Sequence, residues 1–197
     1  MAKVIENLRG DDMIVVKFEM PCDGASPGQC INVNGRFFAI ADSDENSASV
    51  LTRYGGPLDL PEGTEVNVAG PLGKGFPVYD SWDAVIVCGG TATGVGYNLL
   101  KYRSQRNLRT WFVSYTRGGH PLSSGIESIR EMKGIETVVE WNTKKLGRPD
   151  TPFTPLNVKE FPIGTQVFVA GPKELVDSCR SCAEQFGIES NNISLNY

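Results

Sequence analysis

The 197 residues carry 19 Lys and Arg against 23 Asp and Glu, a formal net charge of −4, with the basic residues scattered along the chain. That balance excludes a general nucleic-acid-binding surface. The longest apolar runs are strand-sized and fall well short of the ~20 residues a membrane helix requires. The N-terminal "MAKVIENLRGDD" has no apolar signal core, and the five cysteines are odd in number with no framework spacing. A cytoplasmic protein, kept reduced and without a membrane association, is therefore expected.

Residues 1–80 read as short strands. "KVIENL", "MIVVKFEM", "RFFAIAD", "SASVLTR" and "TEVNVAG" are rich in β-branched and aromatic residues in partial alternation,. Between them stand "RGDD", "GASPGQ", "DSDEN" and "YGGPLDLPEG", all turn chemistry,. This spacing predicts a small antiparallel β-barrel. Near "GFPVYDSWD" (75–83) the rhythm changes. In residues 81–197, fully apolar strands ("AVIVC", "TWFVSY", "TVVEW", "QVFVAG", and a final "NISLNY") alternate with helical patterns. Strands apolar on both faces belong to a parallel sheet covered on both sides. Ser124 and Glu127 are spaced as a capping box for a helix in "SGIESIREMKG",. "KELVDSCRSCAEQFG" places Leu175, Cys179, Cys182, Ala183 and Phe186 on one stripe, ended by Gly187,. The predicted architecture is a small antiparallel β-barrel followed by an α/β open parallel-sheet nucleotide-binding domain. The basic stretch "YRSQRNLR" (102–109) reads as a solvated helix face and loop.

The turn from "VIVC" into "GGTATGVG" (89–96) is where such a sheet holds phosphate. Glycines admit close backbone approach, and the following helix offers free N–H groups. The spacing is neither a Walker A loop nor G-x-G-x-x-G,. Glycines kept only for tight strand–helix packing remain the alternative. The next strand ends "VSYTRGG", with no acid to hold a ribose 2′-hydroxyl,. Ser114, Thr116 and Arg117 suit a 2′-phosphate instead, which favours NADP(H). An exposed loop arginine is the competing reading.

In this order the motifs resemble the ferredoxin–NADP reductase superfamily, a flavin-binding barrel joined to a nicotinamide-binding α/β domain. "SPGQCINV", "RFFAIAD", "GPLGKGF", "GGTATGVG" and "VFVAGPKELVDS" are similar to its successive elements and span nearly the whole chain. "GPLGKGF" looks most like the electron-transfer subunits of dihydroorotate dehydrogenase. The resemblance implies that Arg36 neutralises a flavin phosphate and that Phe38, with Phe37 beside it, packs at the isoalloxazine. It puts Ala39 at the flavin N5 edge, and Gly55, Gly56 and Pro57 along the flavin pyrophosphate. Gly90, Thr91, Thr93 and Gly94 match the nicotinamide pyrophosphate turn, and Ser114 and Arg117 the 2′-phosphate region. Gly171 and Pro172 match the loop below the nicotinamide. Tyr197 matches a terminal aromatic that stacks on flavin in some members.

Several positions depart from the pattern. Ala39 stands where the family has Ser or Thr, Ala170 replaces a cysteine, and Tyr97 replaces a common proline. The barrel half is compact, and no cysteine cluster for a [2Fe–2S] centre is present. Each candidate also has a plain reading. Arg36 could snorkel from an edge strand, and one of Phe37 and Phe38 belongs to the core. Cys179 and Cys182 sit on an apolar stripe as structural thiols. His120, the one histidine, is a loop residue near the 2′-phosphate region with no catalytic task. The expected function is a flavin-dependent NADPH oxidoreductase using FAD or FMN. Electrons would pass to a redox partner, an iron–sulfur protein or a catalytic subunit. The alternatives are a non-catalytic nucleotide-binding or regulatory module on this fold, and a reductase that takes free flavin as substrate.

Overall fold

The computed structural model describes residues 1–78, 80 and 82–195; Tyr197, an expected flavin-stacking residue, lies outside the described residues. The first half forms strands β1 (Ala2–Arg9), β2 (Met13–Glu19), β3 (Cys30–Val33), β4 (Arg36–Asp44), β5 (Ser47–Arg53), β6 (Glu65–Val66) and β7 (Val68–Leu72). They pair antiparallel in the order β6-β1-β2-β5-β4-β3-β7, a nearly closed barrel. The expected strand "TEVNVAG" is two strands. Asn67 makes the corner, its N–H donating to Asn34 Oδ1 at 3.1 Å. β6 then pairs with β1 and β7 with β3, so one stretch of chain reaches both edges of the sheet. β3 and β4 join through Asn34-Gly35, with φ of 50° and 85°, the twist-matched two-residue hairpin turn.

The partial alternation of β2, β4 and β5 has a tertiary cause. Ile14, Val16, Phe18, Ile40 and Val50 face the barrel core. Met13, Val15, Ala41 and Leu51 on the opposite face pack with residues of the second half. Both faces are therefore covered over much of these strands, and apolar residues fall on each,.

The second half carries β8 (Ala84–Gly89), β9 (Thr110–Thr116), β10 (Ile135–Asn142), β11 (Gln166–Ala170) and β12 (Ile193–Leu195), all parallel, in the order β10-β9-β8-β11-β12. Helices α1 (Thr93–Ser104) and α2 (Ser123–Ile129) cover the barrel side of this sheet. The short α3 (Thr143–Leu146) follows β10, and α4 (Lys173–Cys182) packs on the other face through Val176, Cys179 and Cys182. The sheet thus has the doubly wound layering its apolar strands called for.

Two local expectations change. The capping box is not formed: α2 starts at Ser123 with no side-chain cap. Glu127 instead pairs with Arg130 at 2.9 Å, and Ser123 Oγ donates to Glu140 at 2.8 Å. The 102–109 segment is not wholly solvated, because Arg103 is 1% exposed. Its guanidinium donates to the carbonyls of Trp82 and Arg109 and to Thr110 Oγ1, at 2.6–2.9 Å. These bonds tie the end of α1 to the start of the sheet.

Candidate functional site

The strand order reverses between β8 and β11, the place where open α/β sheets leave a crevice at the carboxyl ends of their strands,. Ala170 pairs with Cys88, so Gly89 and Gly171 follow side by side. A Cβ on Gly171 (φ 151°) would lie 3.1 Å from the Gly89 nitrogen, and one on Gly89 would meet Leu175 at 2.9 Å. Only glycines allow the two turns to approach this closely. The sheet therefore brings together "GGTATGVG" and "AGPKE", motifs about eighty residues apart in sequence.

The glycines of the first turn divide by task. Gly90 has φ 61° and open space where a Cβ would stand, as a backbone cradle needs. Thr91 beside it is half-buried. Gly94 is buried: a Cβ there would lie 2.9 Å from Leu51 Cβ and 3.0 Å from Ala41 Cβ, both on the barrel. A Cβ on Gly96 would lie 2.6 Å from Cys88 Sγ. The packing reading thus describes Gly94 and Gly96, and leaves Gly90 and Thr91 at the open end. Thr93 is 0% exposed, and its hydroxyl has no hydrogen-bond partner among the described residues.

Near the carboxyl ends of the strands, Cys88, Ser114 and Glu140 stand in register on adjacent strands. Ser114 Oγ is likewise buried without a partner. Arg117, just past β9, is exposed. His120 is 5% exposed, with Nε2 2.8 Å from Glu140 Oε1, although the alignment is not that of a hydrogen bond. Burial pushes the Glu140 carboxyl up. The contacts with His120 and Ser123 more than offset this and hold it below the usual carboxylate range. Sequence reading missed Glu140; the signal was an acid inside an otherwise apolar strand. Burial pushes the Cys88 thiol up to about 12, and burial likewise raises Cys179 and Cys182. None has the electropositive surroundings of a reactive thiolate.

In the barrel, β4 pairs with β5 only from Ile40, opposite Val50, to Asp44. Before Ile40 it turns to β3, through Phe38 opposite Ile31 and Ala39 opposite Cys30. β5 runs on beside β2 to Arg53, opposite Met13. The strands part here, leaving a split between Arg36–Ala39 and Leu51–Arg53. Arg36 is exposed at its mouth, and Gly55, Gly56 and Pro57 follow at the end of β5. The two phenylalanines separate as alternation requires: Phe38 packs against the barrel core, and Phe37 is 67% exposed. Ala39 packs against the cluster between the halves, the same cluster that holds Ala170. The "PGQ" and "GPLGKGF" elements support this region together. Gln29 Nε2 donates to the Gly73 carbonyl at 2.8 Å, and the Phe76 N–H to the Pro27 carbonyl at 2.7 Å.

No protein-family model and no curated protein matches the sequence. Solved structures do match its shape. The flavohemoglobin-like FAD/NAD-binding domain of the nitric oxide dioxygenase from Vibrio cholerae superimposes with a TM-score of 0.80 at 14% identity, over 98% of this chain and 96% of that one. The fold is that of the ferredoxin reductase-like domains. A cytochrome P450 reductase from Amycolatopsis has a TM-score of 0.77 at 18% identity, over 99% of this chain and 68% of its own. A flavohemoglobin from Malassezia yamatoensis, with bound FAD and heme, also has a TM-score of 0.77 at 18% identity. This chain, matched in full, spans 59% of that protein. The barrel-plus-α/β architecture expected from sequence is the one observed.

Proposed function

We propose that the protein is an NADPH-dependent flavin oxidoreductase, with residues 1–80 as the flavin-binding barrel and residues 81–197 as the nicotinamide-binding domain. The observation that carries this reading is the convergence at the seam. The Gly89–Thr91 and Gly171–Pro172 turns meet at the strand-order switch, and the split in the barrel opens beside Ala39 on the cluster that also holds Ala170. The similar folds named above belong to proteins described as reductases and FAD/NAD-binding domains.

The residues fit such groups. The split between β4 and β5 has an exposed cation, Arg36, at its mouth and an exposed ring, Phe37, beside it. Gly90 leaves its backbone open, and two buried hydroxyls, Thr93 and Ser114, lie unpartnered near the turn. When bound, the flavin accepts hydride from the nicotinamide, and this chemistry belongs to the cofactors. The protein's part is placement. Arg36 would balance a flavin phosphate, with Gly55, Gly56 and Pro57 following that phosphate; exposed Phe37 would flank the ring, while Phe38, on the opposite face of β4, packs against the barrel core. Gly90 and Thr91 hold the pyrophosphate of the coenzyme, and Arg117 holds its 2′-phosphate. Gly171 and Pro172 floor the nicotinamide. Alignment of two rings in a dry seam demands no acid–base pair from the protein. A redox partner, an iron–sulfur protein or a catalytic subunit, would receive the electrons, as the resemblance of "GPLGKGF" to the dihydroorotate dehydrogenase electron-transfer subunits suggests.

Ala39 favours a second reading. It has no hydroxyl to offer flavin N5, which suits a nucleotide-binding module without turnover. Flavin occupancy separates the two. The visible spectrum of the purified protein, recorded with FAD or FMN before and after anaerobic NADPH, tests it. A flavin band that bleaches supports the reductase. Failure to bind either flavin overturns it in favour of the module.

A further inference from the structure

The β1–β2 turn of the barrel reaches the loop that follows β9. Asp11 Oδ2 accepts the Gly119 N–H at 2.7 Å, and the Asp11 N–H donates to the Gly119 carbonyl at 3.0 Å. The approach is close on both sides. A Cβ on Gly10 would lie 2.8 Å from the Gly119 oxygen and 2.9 Å from His120 Cα, and a Cβ on Gly118 would lie 2.9 Å from Asp11 Cβ. The same turn is tied to the other candidate segment. The Asp12 carbonyl accepts the Tyr54 N–H at 3.0 Å. Arg9 stacks 5.0 Å from the Tyr54 ring centroid and lies 3.5 Å from Asp59, whose Oδ2 accepts the Gly55 N–H at 3.0 Å.

We propose that Asp11 is a positioning residue of the coenzyme site: Arg9–Asp12 is a bridge that holds the Arg117–His120 loop in register with the Tyr54–Pro57 segment. This rests on the reductase reading, in which the first grips the coenzyme's 2′-phosphate and the second the flavin pyrophosphate. Neighbouring features agree. The carboxylate takes the one backbone donor of Gly119, so that loop cannot swing to meet a ligand without losing it. His120, directly behind, is buried against Glu140, which fixes the far side. Arg117, between the end of β9 and the anchored Gly119, keeps an exposed side chain on a backbone that no longer needs ordering when the coenzyme binds. Fixing a loop in its bound conformation lowers the cost of binding. It acts on ground state and transition state alike, so its loss shows in KM.

The test compares Asp11→Ala and Asp11→Asn in the full chain with flavin supplied. Asn keeps an oxygen for the Gly119 N–H and removes only the charge. Asp11→Ala is expected to raise the KM for NADPH and the Kd for adenosine 2′,5′-bisphosphate roughly five-fold, the loss of one hydrogen bond, with kcat near wild type. Asp11→Asn is expected to restore most of that, and hydrogen exchange at the Gly119 amide is expected to quicken in Asp11→Ala alone. Faster exchange with unchanged KM and Kd would make the bridge merely structural and overturn the proposal. Unchanged exchange would remove the bridge itself. If wild type shows no NADPH oxidation, the reductase reading fails, while the bisphosphate Kd still reads the loop. If wild type does not bind the bisphosphate, the positioning role fails.

Discussion

Gly94→Ala separates the glycines that pack from those that cradle. Position 94 lies in the first turn of α1, where Ala is favoured over Gly by at most ~1 kcal/mol. Against this, the new methyl would sit 2.9 Å from Leu51 Cβ and 3.0 Å from Ala41 Cβ. Carbon pairs are at their best near ~3.5–4.0 Å. Both opposing atoms are fixed to strand backbone and have no rotamer to turn away. Relief therefore needs α1 to move off the barrel, and overpacking of this kind costs about 1–3 kcal/mol. The net expectation is destabilisation of about 1–2 kcal/mol, a fall in Tm of about 2–8 °C for a chain of this size. Differential scanning calorimetry reads it, and titration with adenosine 2′,5′-bisphosphate reads the site. A Tm that holds or rises would refute the packing argument. A loss of nucleotide affinity without loss of stability would give Gly94 back to the phosphate cradle.

Arg36→Ala is expected to weaken flavin binding by about 1.5–3 kcal/mol, the value of a charge-assisted contact; unchanged affinity on fluorescence titration removes Arg36 from the site. Arg117→Ala is expected to erode the preference for NADPH over NADH in steady-state kinetics, and an equal loss with both coenzymes makes the residue structural. Glu140 carries a pH dependence. Its folded carboxyl lies below the ordinary value of 4.5, so its stabilisation is present above that value and is lost as pH falls through the depressed one. Wild type should therefore lose more stability than Glu140→Gln between about pH 6 and pH 3. Parallel urea-melt profiles for the two would contradict the assignment.

The sequence determined the kind of elements and their order. β-branched runs cut by turn residues specify strands wherever they are placed, and a strand buried on both faces is mostly apolar, as "AVIVC" and "TWFVSY" are,. Gly187 was legible as a stop, closing the 3-10 turn Ala183–Phe186 that follows α4, because a residue at φ 74° there is a local demand on one residue,. Tertiary structure decided what each of these residues faces. Nothing in "TEVNVAG" announces a corner at Asn67, because the corner exists only when β1 and β3 lie at opposite edges of one sheet. Ser124 and Glu127 have capping-box spacing, yet Glu140 on another strand takes the neighbouring Ser123. Arg103 reads as a surface residue until three oxygens, on Thr110, Trp82 and Arg109 at separations of 7, 21 and 6 residues, are brought around it. The glycines show it most plainly. Gly90 is open, Gly94 faces the barrel, and across the two halves Gly10 meets Gly119 and His120 while Gly118 meets Asp11. A glycine in a sequence says that something comes close; only the folded chain says whether it is a phosphate, a methyl or another turn.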